Sequence, residues 1–110
     1  MAHLRIWKFR PPAEREDEFA AAYSSDGVWA RLFGTAEGFL GTELLPPAEP
    51  GGWWMTIDRW QSESAFSAFQ AQLGTEYRRL DAELEGCAGQ EEFIGAFEDV
   101  AAKDGNIADT

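Results

Sequence analysis

Gly52-Trp53-Trp54-Met55-Thr56-Ile57-Asp58-Arg59-Trp60-Gln61-Ser62-Glu63-Ser64-Ala65-Phe66-Ser67-Ala68-Phe69 reads as a strand that passes at once into a helix. In an extended chain successive side chains point to opposite faces. Trp54, Thr56, Asp58 and Trp60 therefore share one face, and Trp53, Met55, Ile57 and Arg59 the other. Both faces are bulky, and neither has the composition of a solvated surface. A sheet built on such a strand needs cover on both sides, and 110 residues supply helices for only one. The second side calls for a partner.

Downstream, Ser62 or Ser64 suits a helix N-cap, and Phe66, Phe69, Leu73, Tyr77, Leu80 and Leu84 recur at steps of three and four as a buried stripe. Glu85-Gly86 is expected to end this helix. Gln90 to Glu98 reads as a further strand, and Ala101 to Thr110 as a flexible acidic tail, which leaves residues 1–100 as a single domain. Upstream, Gly38 to Leu45 forms a strand with Phe39, Gly41, Glu43 and Leu45 opposite Leu40, Thr42 and Leu44. The Pro- and Gly-rich run from Pro46 to Gly52 joins it to the next strand as an antiparallel pair.

At the start of the chain, Leu4 to Phe9 sets Leu4, Ile6 and Lys8 against Arg5, Trp7 and Phe9 across another strand. Pro11-Pro12 ends it and suits the first turn of a helix that runs through the i,i+4 pair Phe19 and Tyr23. Ser24-Ser25-Asp26-Gly27 breaks that helix, Val28 to Phe33 resumes it, and Gly34 is the expected stop. The order is the α+β, ferredoxin-like βαββαβ pattern, whose right-handed crossovers place both helices on one face of an antiparallel sheet.

Net charge excludes some partners. Nine basic residues against twenty acidic ones give −11, whereas nucleic acid and anionic membrane surfaces require clustered Lys and Arg. A single Cys87 cannot form an internal disulfide, and with a single His3 there is no Cys and His cluster for zinc. No apolar run follows a basic start, so neither a signal peptide nor a membrane span is expected, and the cytoplasm is the expected location.

Trp29-Ala30-Arg31-Leu32-Phe33, Gly38-Phe39-Leu40-Gly41-Thr42-Glu43-Leu44-Leu45, Thr56-Ile57-Asp58-Arg59-Trp60 and Ala65-Phe66-Ser67-Ala68-Phe69 together resemble the antibiotic biosynthesis monooxygenase family of dimeric α+β barrels, over Leu4 to about Glu98. The resemblance implies a homodimer closed sheet to sheet, with a pocket between the sheet and helices of each protomer. It implies oxidation of anthrone-, phenol- or quinol-like aromatics by molecular oxygen, with no metal, flavin or other cofactor. A haem-degrading branch of similar fold uses an Asn, a Trp and a His, and the corresponding positions here fall near Leu4, on Phe69 and near Arg79. None of the three matches.

Asp58 is a candidate base, because a carboxylate in an apolar cleft has its pKa raised; pairing near Arg59 is its competing use. His3 has the intrinsic pKa best suited to proton transfer, although its place at the chain start suits a surface histidine. Tyr77 and Tyr23 can donate to a phenolate or fill the helix–sheet interface. Arg79 and Arg59 can neutralise an oxyanion or offset neighbouring acids. Trp29, Phe33, Trp60 and Phe69 are candidate contacts for a flat aromatic substrate, with core filling as the alternative. Three functions stay open: a cofactor-independent oxygenase, a non-catalytic small-ligand-binding dimer, and a cyclase or isomerase acting on a polyketide-like substrate.

Overall fold

The computed structural model describes residues 2–100. The expected acidic tail lies outside the described residues. Four strands, β1 (His3–Arg10), β2 (Phe39–Leu45), β3 (Trp54–Trp60) and β4 (Gln90–Glu98), form an antiparallel sheet in the order β2-β3-β1-β4. Between β1 and β2 lie a 3-10 turn at Ala13–Arg15 and two short helices, α1 (Glu16–Tyr23) and α2 (Val28–Gly34); α3 (Glu63–Ala88) links β3 to β4. This is the ferredoxin-like arrangement, and within one chain the sheet stays open and does not close into a barrel.

Register fixes the two faces. Arg5 opposes Asp58, Trp7 opposes Thr56 and Phe9 opposes Trp54, so these pairs share the helix side. On the reverse side, Ile6 opposes Ile57 and Lys8 opposes Met55. The helix side holds the core, where Phe19, Trp60, Phe69 and Cys87 are almost wholly enclosed. Phe19 stacks on Tyr23 at 4.4 Å between ring centroids, as their one-turn spacing dictates. Trp60 meets Phe33, Phe39, Phe66 and Phe69 at 5.1 to 5.6 Å. Removing one such large ring costs about 3–5 kcal/mol.

Three details depart from simple pattern reading. Strict alternation fails in β2, because a bulge between Phe39 and Gly41 puts Phe39 opposite Trp60 while Thr42 still opposes Asp58. Phe39, Thr42 and Leu44 therefore share the helix side, and Leu40 is the inserted residue. A similar shift in β4 skips Ile94 between Phe93 and Gly95. The long helix does not end at Glu85-Gly86. It runs to Ala88 and stops at Gly89, whose φ of 66° lies in the left-handed region that glycine tolerates. Gly86 lies inside the helix without a positive φ, so a glycine alone is a poor stop signal.

The break between α1 and α2 is built as composition indicates. Gly27 precedes α2, and a side chain there would collide with the carbonyl oxygens of Ala21 and Ala22. Ser62 caps α3, its hydroxyl accepting from the Ala65 amide at 3.1 Å. Leu73 departs from helical geometry at φ −122° and ψ 21°, which kinks α3 one turn before Tyr77.

Candidate functional site

A cleft opens between the sheet and the helices, where the break between α1 and α2 faces the kinked part of α3. Its floor is Trp7 and Phe9 from β1, Thr42 from β2 and Thr56 and Asp58 from β3. Its walls are Tyr23, Trp29 and Phe33 on one side and Tyr77 and Asp81 on the other, with Glu91 from β4. The enclosed space is about 40 Å³, room for water-sized occupants, and the wider 410 Å³ around it includes open solvent, so a fused ring requires the walls to part. It is narrow: the rings of Trp29 and Tyr77 lie 5.0 Å apart. A second, more polar groove lies between Glu37-Gly38 and the start of α3, lined by Gln61, Ser62, Ser64 and Gln72, with Glu37 as its one titratable group.

Asp58 is placed by strand alternation on the helix side and by burial in an apolar setting. Enclosure raises its pKa to about 6, while the Thr42 hydrogen bond and the Arg5 charge pull the other way. The Thr42 hydroxyl donates to Oδ1 at 2.5 Å and lies 3.3 Å from the Ile57 carbonyl. Both protonation states of Asp58 are thereby accommodated. The carboxylate accepts from Thr42, and the protonated acid can donate to Thr42 once that hydroxyl turns to the carbonyl. Among the described residues no donor reaches Oδ2.

Tyr77 is pushed up to about 12, first by burial and then by Asp81, Asp58 and Glu91, so its hydroxyl stays protonated and remains a hydrogen-bond donor. Burial also raises Tyr23. Arg5, cross-strand neighbour of Asp58, holds its guanidinium 4.0 Å from the Phe66 ring centre and 4.5 Å from that of Phe93. Burial lowers its pKa, yet a guanidinium keeps its charge.

Five residues singled out from sequence meet in the cleft: Asp58, Tyr77, Tyr23, Trp29 and Phe33. Four do not. His3 is neither a surface residue nor part of the cleft; it is 5% exposed, opposite Trp60 and 6.1 Å from the Phe66 ring, because β1 pairs from its first residue. Trp60 and Phe69, at 0% and 1% exposure, are enclosed by other rings and back the site without lining it. Arg79 points to solvent on the outer face of α3, two positions from Tyr77 and so on the opposite side of the helix. Sequence reasoning missed Trp7, Phe9, Thr42, Thr56, Asp81 and Glu91. Alternation groups Trp7 with Phe9 and Thr56 with Asp58 without saying which face the helices cover, and the i,i+4 spacing of Tyr77 and Asp81 is a readable signal. Alternation groups Thr42 with Leu44, and the β2 bulge brings Phe39 to that same face.

The family model described as antibiotic biosynthesis monooxygenase matches residues 3–80. No curated protein matches the chain in sequence. Among solved structures, a variant of SnoaB from Streptomyces nogalater, described as a cofactor-independent oxygenase, is 22% identical over 91% of this chain and 94% of that chain, with a TM-score of 0.66. Rv0793 from Mycobacterium tuberculosis is 13% identical over 92% of this chain and 100% of that one, at 0.60. A MhuD variant crystallised with two manganese protoporphyrin IX molecules per active site is 24% identical over 90% and 95%, at 0.59. At these identities the structural likenesses establish the fold. With most of the chain spanned by the family model, the protein belongs to the antibiotic biosynthesis monooxygenase family.

Proposed function

We propose that the protein is a cofactor-independent monooxygenase that oxidises a fused-ring phenol, quinol or anthrone with molecular oxygen, and that Asp58 is its base. The observation that carries this reading is a carboxyl group with its pKa raised to about 6, set in the floor of a ring-lined cleft with Oδ2 unengaged. The SnoaB likeness in fold is consistent with it. Near neutral pH Asp58 is ionised and takes a proton from the substrate hydroxyl or from the methylene beside it. The anion passes an electron to oxygen, and the two radicals join through a new carbon–oxygen bond. The peroxide takes up a proton and then loses water. A CH2 group and O2 become a carbonyl and water, with no outside reductant.

The protein's share is to position the ring, remove the proton and stabilise the anion. Tyr77 donates to the developing oxyanion, and the Arg5 charge beside Asp58 favours negative charge at the floor. Trp29 and Phe33 hold the ring plane. A haem-based reading has less support: the sequence has one histidine, His3, and it is buried away from the cleft. Each cleft belongs to one protomer, and a second copy covers the open sheet face. Oxygen uptake with a panel of anthrones and naphthols tests the assignment. The expected result is stoichiometric quinone formation by wild type and loss of turnover in Asp58→Asn. Tight binding of the panel with no oxygen uptake would move the protein to the ligand-binding reading.

A further inference from the structure

Charge in the cleft is distributed unevenly. Asp58 sits on the floor, and Asp81 and Glu91, both exposed, stand at the mouth; no Lys or Arg is among the lining residues. Arg5 lies on the same face of the sheet beside Asp58 but outside the lining, its guanidinium held against Phe66 and Phe93. Around the carboxylates are six aromatic rings: Trp7, Phe9, Tyr23, Trp29, Phe33 and Tyr77. The two mouth carboxylates come from different elements, α3 and β4, and converge on one opening. Partial burial raises both pKa values; Glu85 adds to the effect at Asp81, and Asp81 and Glu85 add to it at Glu91.

Aromatic faces attract cations through their quadrupoles, and carboxylates attract them by charge; both repel an anionic substituent. From this convergence we infer that the substrate is a fused-ring aromatic carrying a protonated amine, with the ring against Trp29 and Phe33 and the amine between Asp81 and Glu91. Ring systems bearing a carboxylate at that end are excluded. The inference rests on the oxygenase reading for the identity of the site, and adds the charge class of its ligand. Its binding test does not depend on turnover.

Three probes share one ring system and differ in charge: 9-(aminomethyl)anthracene as the cation, 9-anthracenemethanol as the neutral form and 9-anthracenecarboxylate as the anion. Fluorescence titration at low salt is expected to give an affinity for the amine about tenfold above that for the alcohol, and much weaker binding of the carboxylate. In Asp81→Asn/Glu91→Gln the ratio of amine to alcohol falls to about one. In Glu14→Gln/Asp17→Asn, which removes as much negative charge from exposed positions outside the cleft, the ratio is kept. Carboxylate binding equal to amine binding overturns the inference, as does a ratio unchanged in the mouth variant or equally lost in the distal one. If all three probes bind alike, the charge assignment fails and the oxygenase reading stands. If none binds, both fall.

Discussion

At the scale of single residues, Asp58 links stability to chemistry. Its ordinary pKa is about 3.9, and folding raises it to about 6. The folded chain thus holds the proton more tightly than the unfolded one. Folding is favoured below about pH 4, and stability falls as pH rises between about 4 and 6, then levels off. Asp58→Asn removes that loss. Urea denaturation should find the variant more stable than wild type at pH 7.5, by on the order of 2 kcal/mol, and nearly equal to it at pH 4. The same substitution should lower kcat/KM by about 10²- to 10⁴-fold in the oxygen-uptake assay. Opposite movement of stability and rate is the mark of a strained functional carboxylate, and a structural Asp would lose both. Thr42→Val isolates the hydrogen bond at Oδ1. That bond favours the charged form, so its removal should move the acid limb of the pH–rate profile upward. An unchanged limb would mean that another group sets it.

At the scale of elements, the strands were readable because period-two patterning survives in β1 and β3, and α3 because its apolar residues keep steps of three and four. What escaped the pattern was where the period breaks. The β2 bulge returns Phe39 to the face on which Thr42 meets Asp58, yet Leu40-Gly41 looks like ordinary alternation from composition. His3 looked terminal and exposed, but burial depends on pairing with β3 and β4, a long-range property absent from local sequence. The α3 stop was misread because Gly86 and Gly89 are equivalent as letters and differ only in backbone geometry. Gly89 has a positive φ, and a Cβ there would press on the Arg10 carbonyl where the chain returns to the sheet. Gly89→Ala should therefore destabilise the fold by about 1–3 kcal/mol, read from the urea midpoint, while Gly34→Ala, with open space around its Cα, should be neutral or slightly stabilising.

At the scale of the whole molecule, the open face of the sheet is where the proposed second copy would dock. Leu4, Ile6, Met55, Ile57 and Phe97 lie on it, and Phe97 is 45% exposed in the single chain. Two ion pairs, Lys8 with Glu92 at 3.6 Å and Arg59 with Glu43 at 3.0 Å, stand on the same face and bring charge to it without breaking the central apolar stripe. An apolar stripe with polar flanks is the anatomy of an interface core and its rim, and a two-fold axis through Ile6 and Ile57 would set the stripe against its own copy. The helices cover one side of the sheet, so the cleft is complete within one chain while its floor is thin, with Asp58 on one surface of β3 and Ile57 and Arg59 on the other. Ile57→Glu puts a charge at the centre of the stripe and leaves the helix-side core untouched. Sedimentation should show wild type as a dimer at micromolar concentration and the variant as a monomer with intact far-ultraviolet circular dichroism. If the floor depends on the second copy for rigidity, the monomer should also lose oxygen uptake more than its affinity for 9-anthracenemethanol. A wild type that sediments as a monomer at all concentrations would leave the apolar stripe bare in water and overturn the paired arrangement, without touching the assignment of the cleft.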